Sequence, residues 1–309
     1  MKPQAKENEN ILLPWQCVID SSKTMEHSRI RLCLDATEAN RLIYKMDADM
    51  PSILEMLVLW RLNRFWCFLD LKSMFWSILT DEADCKLQQC IFRFSKEEKI
   101  KLYLFVRCVM GMCDSPGLAR LVLLKLAETL KDEFPMAKET IKKQTYMDDI
   151  EVVGNDEETV AKEALDLIEF FRRGSFKAGK ILSDNKKVLS AIPNEMLHPL
   201  VSEGLKVNET EKNKSVEVVR GETIAFPHPK FDDVVIEDAK ALGIHFKMDF
   251  KNEQSYLTFS HWAIKEEVLT KRNVARSYAR CWNPLFDLAP VTNLAKVAIS
   301  KMWELNNFS

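Results

Sequence analysis

Two adjacent acids, Asp148 and Asp149, lie inside the apolar stretch QTYMDDIEVVG, and no other feature restricts the fold as strongly. Thr145, Ile150, Val152 and Val153 favour extended backbone, so the segment predicts strand, tight turn, strand with both carboxylates at the bend. Like charges held that close disfavour ionisation of both unless a cation screens them. An Asp-Asp pair is also ordinary turn chemistry. Turn chemistry leaves unexplained a second apolar strand, RFWCFLD, that ends on Asp70, an aromatic five residues later at Phe75, and the segment Gly111-Met112-Cys113-Asp114-Ser115-Pro116 between them and the turn. Hard oxygen ligands select Mg²⁺ or Mn²⁺, and bridging two ions about 3.5–4 Å apart needs a third acid. Asp70 is the natural supplier.

The flanking patterns set the class. Ile53, Leu57 and Trp60 have helical spacing over 52–63, just ahead of the Asp70 strand. Residues 87–94 and 101–109 read as a hairpin around SKEEK. After Pro116, Leu118, Val122, Leu123, Leu126 and Leu130 form one apolar stripe that predicts a core-facing helix, with Ser115 as its cap. Asn155 or Asp156 caps a further helix carrying Val160, Ala164, Leu165, Ile168 and Phe171, ended by Gly174. The last forty-five residues read as helical, broken at Asn283-Pro284 and Ala289-Pro290. This order predicts an α+β architecture, an antiparallel sheet with helices on one face.

Composition narrows the function. The 309 residues are 47% hydrophobic and 29% charged, a globular rather than disordered balance. The eight cysteines include no C-x-x-C pair and the five histidines lack zinc spacing with them, which predicts reduced thiols inside a cell. There is neither a signal-peptide pattern nor an apolar run of about eighteen residues, so no membrane partner is expected. The formal net charge is −2, so any nucleic-acid surface must be local. Its candidates are Lys23, Arg29 and Arg31, then Lys142 and Lys143, then Arg172 to Lys187 with six basic residues and one Asp.

RLCLDA (31–36), FLDLKSMF (68–75), MGMCDSP (110–116), YMDD (146–149), GSFKAGKILSDN (174–185) and ALGIHF (241–246) occur in the motif order of reverse transcriptases. The chain resembles that family over residues 12–304, and in its wider phrasing resembles the Pol polyprotein of BEL/Pao-type LTR retrotransposons. The resemblance implies a right-hand polymerase with fingers, palm and a helical thumb-like C-terminal part. Its implied boundaries are fingers over 1–66, palm over 67–218 with an inserted fingers hairpin at 85–110, and a primer-grip hairpin with a helical thumb- or connection-like region over 219–309.

It also implies roles. Asp70 and Asp148 would be the principal ligands of two Mg²⁺ ions, with Asp149 a weaker contributor, the Leu71 carbonyl completing the nucleotide-side ion, and Mn²⁺ an alternative. Phe75 would lie under the incoming sugar and exclude a 2′-hydroxyl. Arg31, with Arg29, would contact the nucleotide base and phosphates. Gly111, Ser115, Tyr146 and Met147 would shape the floor and turn beneath the nascent pair. Leu242 and Gly243 would grip the primer, and Lys180 would protonate the leaving pyrophosphate. Partners would be an RNA or DNA template with its primer, dNTPs, and the RNase H and integrase domains of a complete polyprotein, with oligomeric state left open. The compartment would be cytoplasmic, including virus-like particles, with the nucleus not excluded.

Three departures stand out: Met110 where many relatives have a glutamine that the BEL/Pao group also tends to lack, Asp20 where lysine is favoured, and the unusual stretch 40–51. The altered fingers and the near-neutral net charge of −2 keep a second reading open, a non-catalytic domesticated or decayed remnant that binds nucleic acid or protein. An RNA-templated RNA polymerase fits less well, since it favours Gly-Asp-Asp at the turn and a small or polar residue near position 75.

Overall fold

The computed structural model describes residues 11–19, 30–202, 235–241, 244–250, 254–258 and 300–301. In chain order the elements are β1 (Trp15–Ile19), β2 (Ile30–Leu34), α1 (Ala39–Leu42), α2 (Ile53–Leu62), β3 (Phe65–Leu71), α3 (Met74–Ser77), β4 (Gln89–Phe92), β5 (Lys101–Leu104) and α4 (Ser115–Thr129). They continue with α5 (Ala137–Lys143), β6 (Thr145–Tyr146), β7 (Asp149–Gly154), α6 (Glu157–Arg173), β8 (Ala178–Ser183), α7 (Lys186–Ala191), β9 (Val235–Ala241), β10 (Ile244–Asp249) and β11 (Gln254–Thr258). The class is α+β, as the patterns predict. Two compact units result: Met1–Met50 with Leu71–Asp148 and Leu167–Lys177, and Pro51–Asp70 with Asp149–Asp166 and Ala178–Ser309.

The second unit is built on β3 and β7, antiparallel and in unbroken register from Phe65↔Gly154 to Asp70↔Asp149. Trp66, Cys67, Phe68 and Leu69 are buried in succession. A strand buried on both faces needs an apolar run rather than alternation, which is why RFWCFLD is continuous. Within this unit the strand order is β7-β3-β8. Ser183 Oγ donates to the Trp66 carbonyl at 2.6 Å, pinning the end of β8. α2 enters through a capping box, with Ser52 Oγ accepting from the Glu55 N–H and the Glu55 carboxylate accepting from the Ser52 N–H. Its Trp60 meets Trp66 edge-on at 5.8 Å and Phe68 at 6.4 Å. Asp156 is the residue that caps α6, accepting from the N–H and hydroxyl of Thr159, while Asn155 accepts from the Arg64 N–H. A further sheet in this unit has β10 between β9 and β11, all antiparallel. Leu242, Gly243 and the expected C-terminal helices lie outside the described residues.

The first unit departs from expectation in three places. The β4–β5 hairpin is shorter than 87–94 and 101–109, because Gln88 Nε2 donates to the Phe105 and Arg107 carbonyls at 2.6 and 2.9 Å and draws that stretch off the ladder. Ser115 does not cap α4: it is the first helical residue, Asp114 holds the N-cap position without a side-chain bond, and Ser115 Oγ donates to the Val109 carbonyl at 2.7 Å. The buried side of α4 carries Ala119, Leu123 and Ala127, with Ser115, Gly117 and Arg120, whereas Leu118 and Val122 are each 36% exposed. Close approach selected the small residues: a Cβ on Gly117 would stand 2.8 Å from Met46, and one on Gly174 would stand 2.2 Å from Leu126 Cδ2. Gly174 therefore follows α6 for space, and Ser175, at φ +62°, is the left-handed residue there. The core of β1, β2 and their neighbours gathers Ile11, Leu13, Ala36, Ala39, Val109 and Met112.

One residue of the second unit runs against its surroundings. Glu151, the register partner of Phe68, is fully buried, and neither carboxylate oxygen has a hydrogen-bond partner among the described residues. Burial alone pushes its carboxyl from an ordinary 4.5 up to about 8. Between those values the unfolded chain releases a proton that the folded chain keeps, so the stabilisation is complete below pH 4.5 and is lost as pH rises through 8. Glu151→Gln should abolish that dependence. Urea unfolding at about pH 5 and about pH 8 should show wild type losing on the order of 4 kcal/mol relative to the variant; equal losses in both would refute a neutral buried carboxyl.

Candidate active site

The site begins with the end of one ladder. β3 and β7 set Asp70 directly opposite Asp149, so both carboxylates leave the same face of the sheet. One residue further, the Leu71 N–H donates to the Asp148 carbonyl at 2.8 Å, fixing the backbone of the first turn acid. β8 supplies the opposite charge: Lys180 Nζ lies 3.1 Å from Asp70 Oδ2. Asp70 thus has an acid across one edge of its strand and a base across the other.

Backbone strain concentrates at the same place. Among the described residues, five other than glycine adopt positive φ: Asp49, Ser73, Met147, Ser175 and Lys180. Three of these lie near one of the acids in sequence or hold one by a hydrogen bond. Ser73, at φ +55°, follows Asp70 by three residues; Met147, at +54°, immediately precedes Asp148; Lys180, at +48°, holds Asp70. Left-handed backbone disfavours L side chains with a Cβ, and such strain collects where a structure needs a group aimed in one direction.

Carboxylate oxygens on one sheet face are a donor set that suits a hard divalent cation, and the ammonium on Asp70 shows that the position favours positive charge. Among the described residues, no three His, Cys, Asp or Glu side chains are gathered as a ready cation cage. The register sets Asp70 opposite Asp149, with Asp148 next to Asp149 along the chain.

Other expected positions fall as follows. Leu71 is buried, Phe75 is buried in α3, and Tyr146 and Met147 are half-buried at the turn. Gly111 adopts φ +108°, which side chains with a Cβ rarely adopt, while the Leu34 carbonyl, 3.5 Å from where a Cβ would be, is at ordinary contact distance, so backbone conformation rather than close approach requires glycine. Its loop is held by Asn40, which spacing does not single out: the amide donates to the Gly111 carbonyl at 2.9 Å and accepts from the Cys113 N–H at 2.7 Å. Arg29 lies outside the described residues, Arg31 is placed on β2 by its backbone only, and Leu242 and Gly243 lie outside. Of the basic stretch 172–187, Arg172 pairs with Glu169, Arg173 with Glu133 and Glu169, Lys180 with Asp70, and Lys187 with Glu157. Ion pairing therefore takes up much of the charge that the sequence offers to phosphates.

Arg120 is the second residue that sequence reasoning missed. It is 5% exposed on α4, and its guanidinium donates to the carbonyls of Ile141, Lys142 (2.9 Å) and Asp49 (3.2 Å). Two of these acceptors close the last turn of α5, where a cation also meets the negative end of the helix. The chain passes from there through Gln144 into β6 and the Asp148 turn. With Met50, Met74, Leu123 and Met147, Arg120 lines a small cavity. Its signal was an arginine within an apolar helix repeat, which is easily read as a solvated face.

A family model described as "Reverse transcriptase (RNA-dependent DNA polymerase)" matches residues 21–246. Among solved structures, the native Protease-Reverse Transcriptase of Prototype Foamy Virus is similar at 19% identity with a TM-score of 0.41, over 56% of this chain and 20% of that one. The selenomethionine-labelled CSH mutant of the same viral protein is similar at 20% identity and a TM-score of 0.42, over the same shares. The chain thus spans a fifth of the length of the viral chains it matches. No curated protein sequence matches it.

Arg120→Met should leave its three carbonyls without donors and cost about 2–4 kcal/mol of unfolding free energy, with Arg120→Lys intermediate. Chemical denaturation measures this, and a Met variant as stable as wild type would show that the guanidinium contacts carry no weight.

Proposed function

Since the chain belongs to the reverse transcriptase family, matched over residues 21–246, we propose that it is the core of an RNA-directed DNA polymerase that adds dNTPs to a primer 3′-hydroxyl on an RNA or DNA template. The observation that carries this reading is the Asp70↔Asp149 rung with Asp148 beside it. Asp70, Asp148 and Asp149, with the Leu71 carbonyl, would hold Mg²⁺ or Mn²⁺. When bound, two such ions lower the pKa of the 3′-hydroxyl and neutralise charge on the triphosphate. The protein's own work is then positioning and charge placement, and no side-chain nucleophile is needed.

Phe75 gives the site its sugar preference, a buried ring five residues past Asp70. Gly111 and Ser115 shape the floor, and Tyr146 and Met147 form the near side of the turn. Arg31 and Arg29 serve the base and phosphates, Leu242 and Gly243 the primer end, and Lys180 the leaving pyrophosphate. The fingers, palm and thumb boundaries at 1–66, 67–218 and 219–309 belong to the same reading, as does origin in a BEL/Pao-type element, supported by the motif order and by Met110 in place of glutamine. RNase H and integrase would then act from other parts of a polyprotein. Among the described residues no helix is long and apolar enough to cross a membrane. The net charge of −2 and the paired basic residues favour one alternative, a remnant that keeps the fold as a binding module without catalysis.

Extension of oligo(dT) on poly(rA) with Mg²⁺ or Mn²⁺ separates the two. Wild type should extend and Asp148→Asn should lose at least about 10³-fold; hybrid binding without extension by wild type would favour the remnant. Phe75→Val should raise ribonucleotide incorporation at least about tenfold relative to dNTP, a shift of more than about 1.4 kcal/mol in discrimination. An unchanged sugar preference removes Phe75 from that role.

A further inference from the structure

We propose that Lys180 is the resident counter-cation of the metal site, its ammonium occupying Asp70 until a divalent ion displaces it, so that this side chain sets the ion concentration at which the site assembles. The inference rests on the metal-binding reading of Asp70, Asp148 and Asp149.

Three observations carry it. Lys180 Nζ contacts Asp70 Oδ2 at 3.1 Å, on the strand whose opposite neighbour presents Asp149 to the same face. Two carboxylates that close repel each other, and an ammonium relieves that repulsion as a metal ion would. Second, the strain sits on the residue that carries the ammonium. Gly179 could adopt left-handed backbone without penalty and a Cβ there would meet nothing within 4 Å, yet it is Lys180 that has φ +48°. Ile181, Leu182 and Ser183 are buried immediately afterwards, with Ser183 tied to the Trp66 carbonyl, so β8 cannot relax by sliding. Third, the pair is displaceable. The lysine side chain is 60% exposed and that of Asp70 is 24% exposed, which leaves the contact in a screened setting where a divalent ion competes well.

The lysine then has two positions. Without metal it lies on Asp70; with metal it is released toward solvent and any bound phosphates. The competition weakens metal binding, both through the contact that must be broken and through repulsion between the ammonium and the incoming ion.

Mn²⁺ titration of the intact chain by electron paramagnetic resonance tests this. Lys180→Met should bind Mn²⁺ about three- to tenfold more tightly than wild type, with Lys180→Arg near wild type. Equal or weaker binding by Lys180→Met, while Asp148→Asn still abolishes Mn²⁺ binding, overturns the competition and leaves the metal site standing. Binding unaffected by Asp148→Asn overturns the metal site and the competition together. A second measurement needs no variant: acetylation of the Lys180 amine, followed by mass spectrometry, should accelerate when Mg²⁺ is added, and an unchanged rate contradicts the displacement.

Discussion

The register between β3 and β7 is the constraint on which the remainder rests. Side chains alternate across a strand, so a slip of one residue would turn Asp70 away from Asp149 and send Phe68 to the other face. Close packing opposes that slip, because shifting Trp66 to Leu69 against Ile150 to Val152 by one residue would misfit side chains that are enclosed on all sides. The ladder is uniform enough to enclose Glu151, whose carboxyl must give up its charge to remain there. A few residues along the same face, where the sheet reaches solvent, the acids regain access to cations. Their contrasting environments follow from depth along one pair of strands.

In the first unit, polar side chains complete backbone that no ladder reaches. Gln88 serves the Phe105 and Arg107 carbonyls, Asn40 serves Gly111 and Cys113, and Arg120 serves Asp49, Ile141 and Lys142. Buried peptide groups must find partners, and irregular segments near a site have few regular ones. These side chains hold irregular segments of the first unit in one arrangement.

Patterns with a strong period were legible. The hairpin at Asp148, the continuous strand ending at Asp70, the helix after Pro116 and the α6 helix all formed where their residues predict. Less legible were details that depend on what lies opposite. The buried side of α4 fell on Ala119, Leu123 and Ala127 with Gly117, where Met46 stands too close for a Cβ. Ser115 spent its hydroxyl on Val109 rather than on the helix end, and Asp156 rather than Asn155 capped α6 because Asn155 was engaged by Arg64. Each outcome turns on a competing hydrogen bond or a volume contributed from elsewhere in the chain.

By itself, the amino-acid order determined the α+β class, the family, and the placement of acids at strand ends, since those follow from local periodicity and covalent adjacency. Only the tertiary structure decided which charges meet. Lys180 reaches Asp70 across 110 residues of chain, Asn40 reaches Gly111 across 71, and Arg120 reaches Ile141 across 21. No local preference encodes such encounters, because each depends on where the chain returns after the apolar surfaces have been buried.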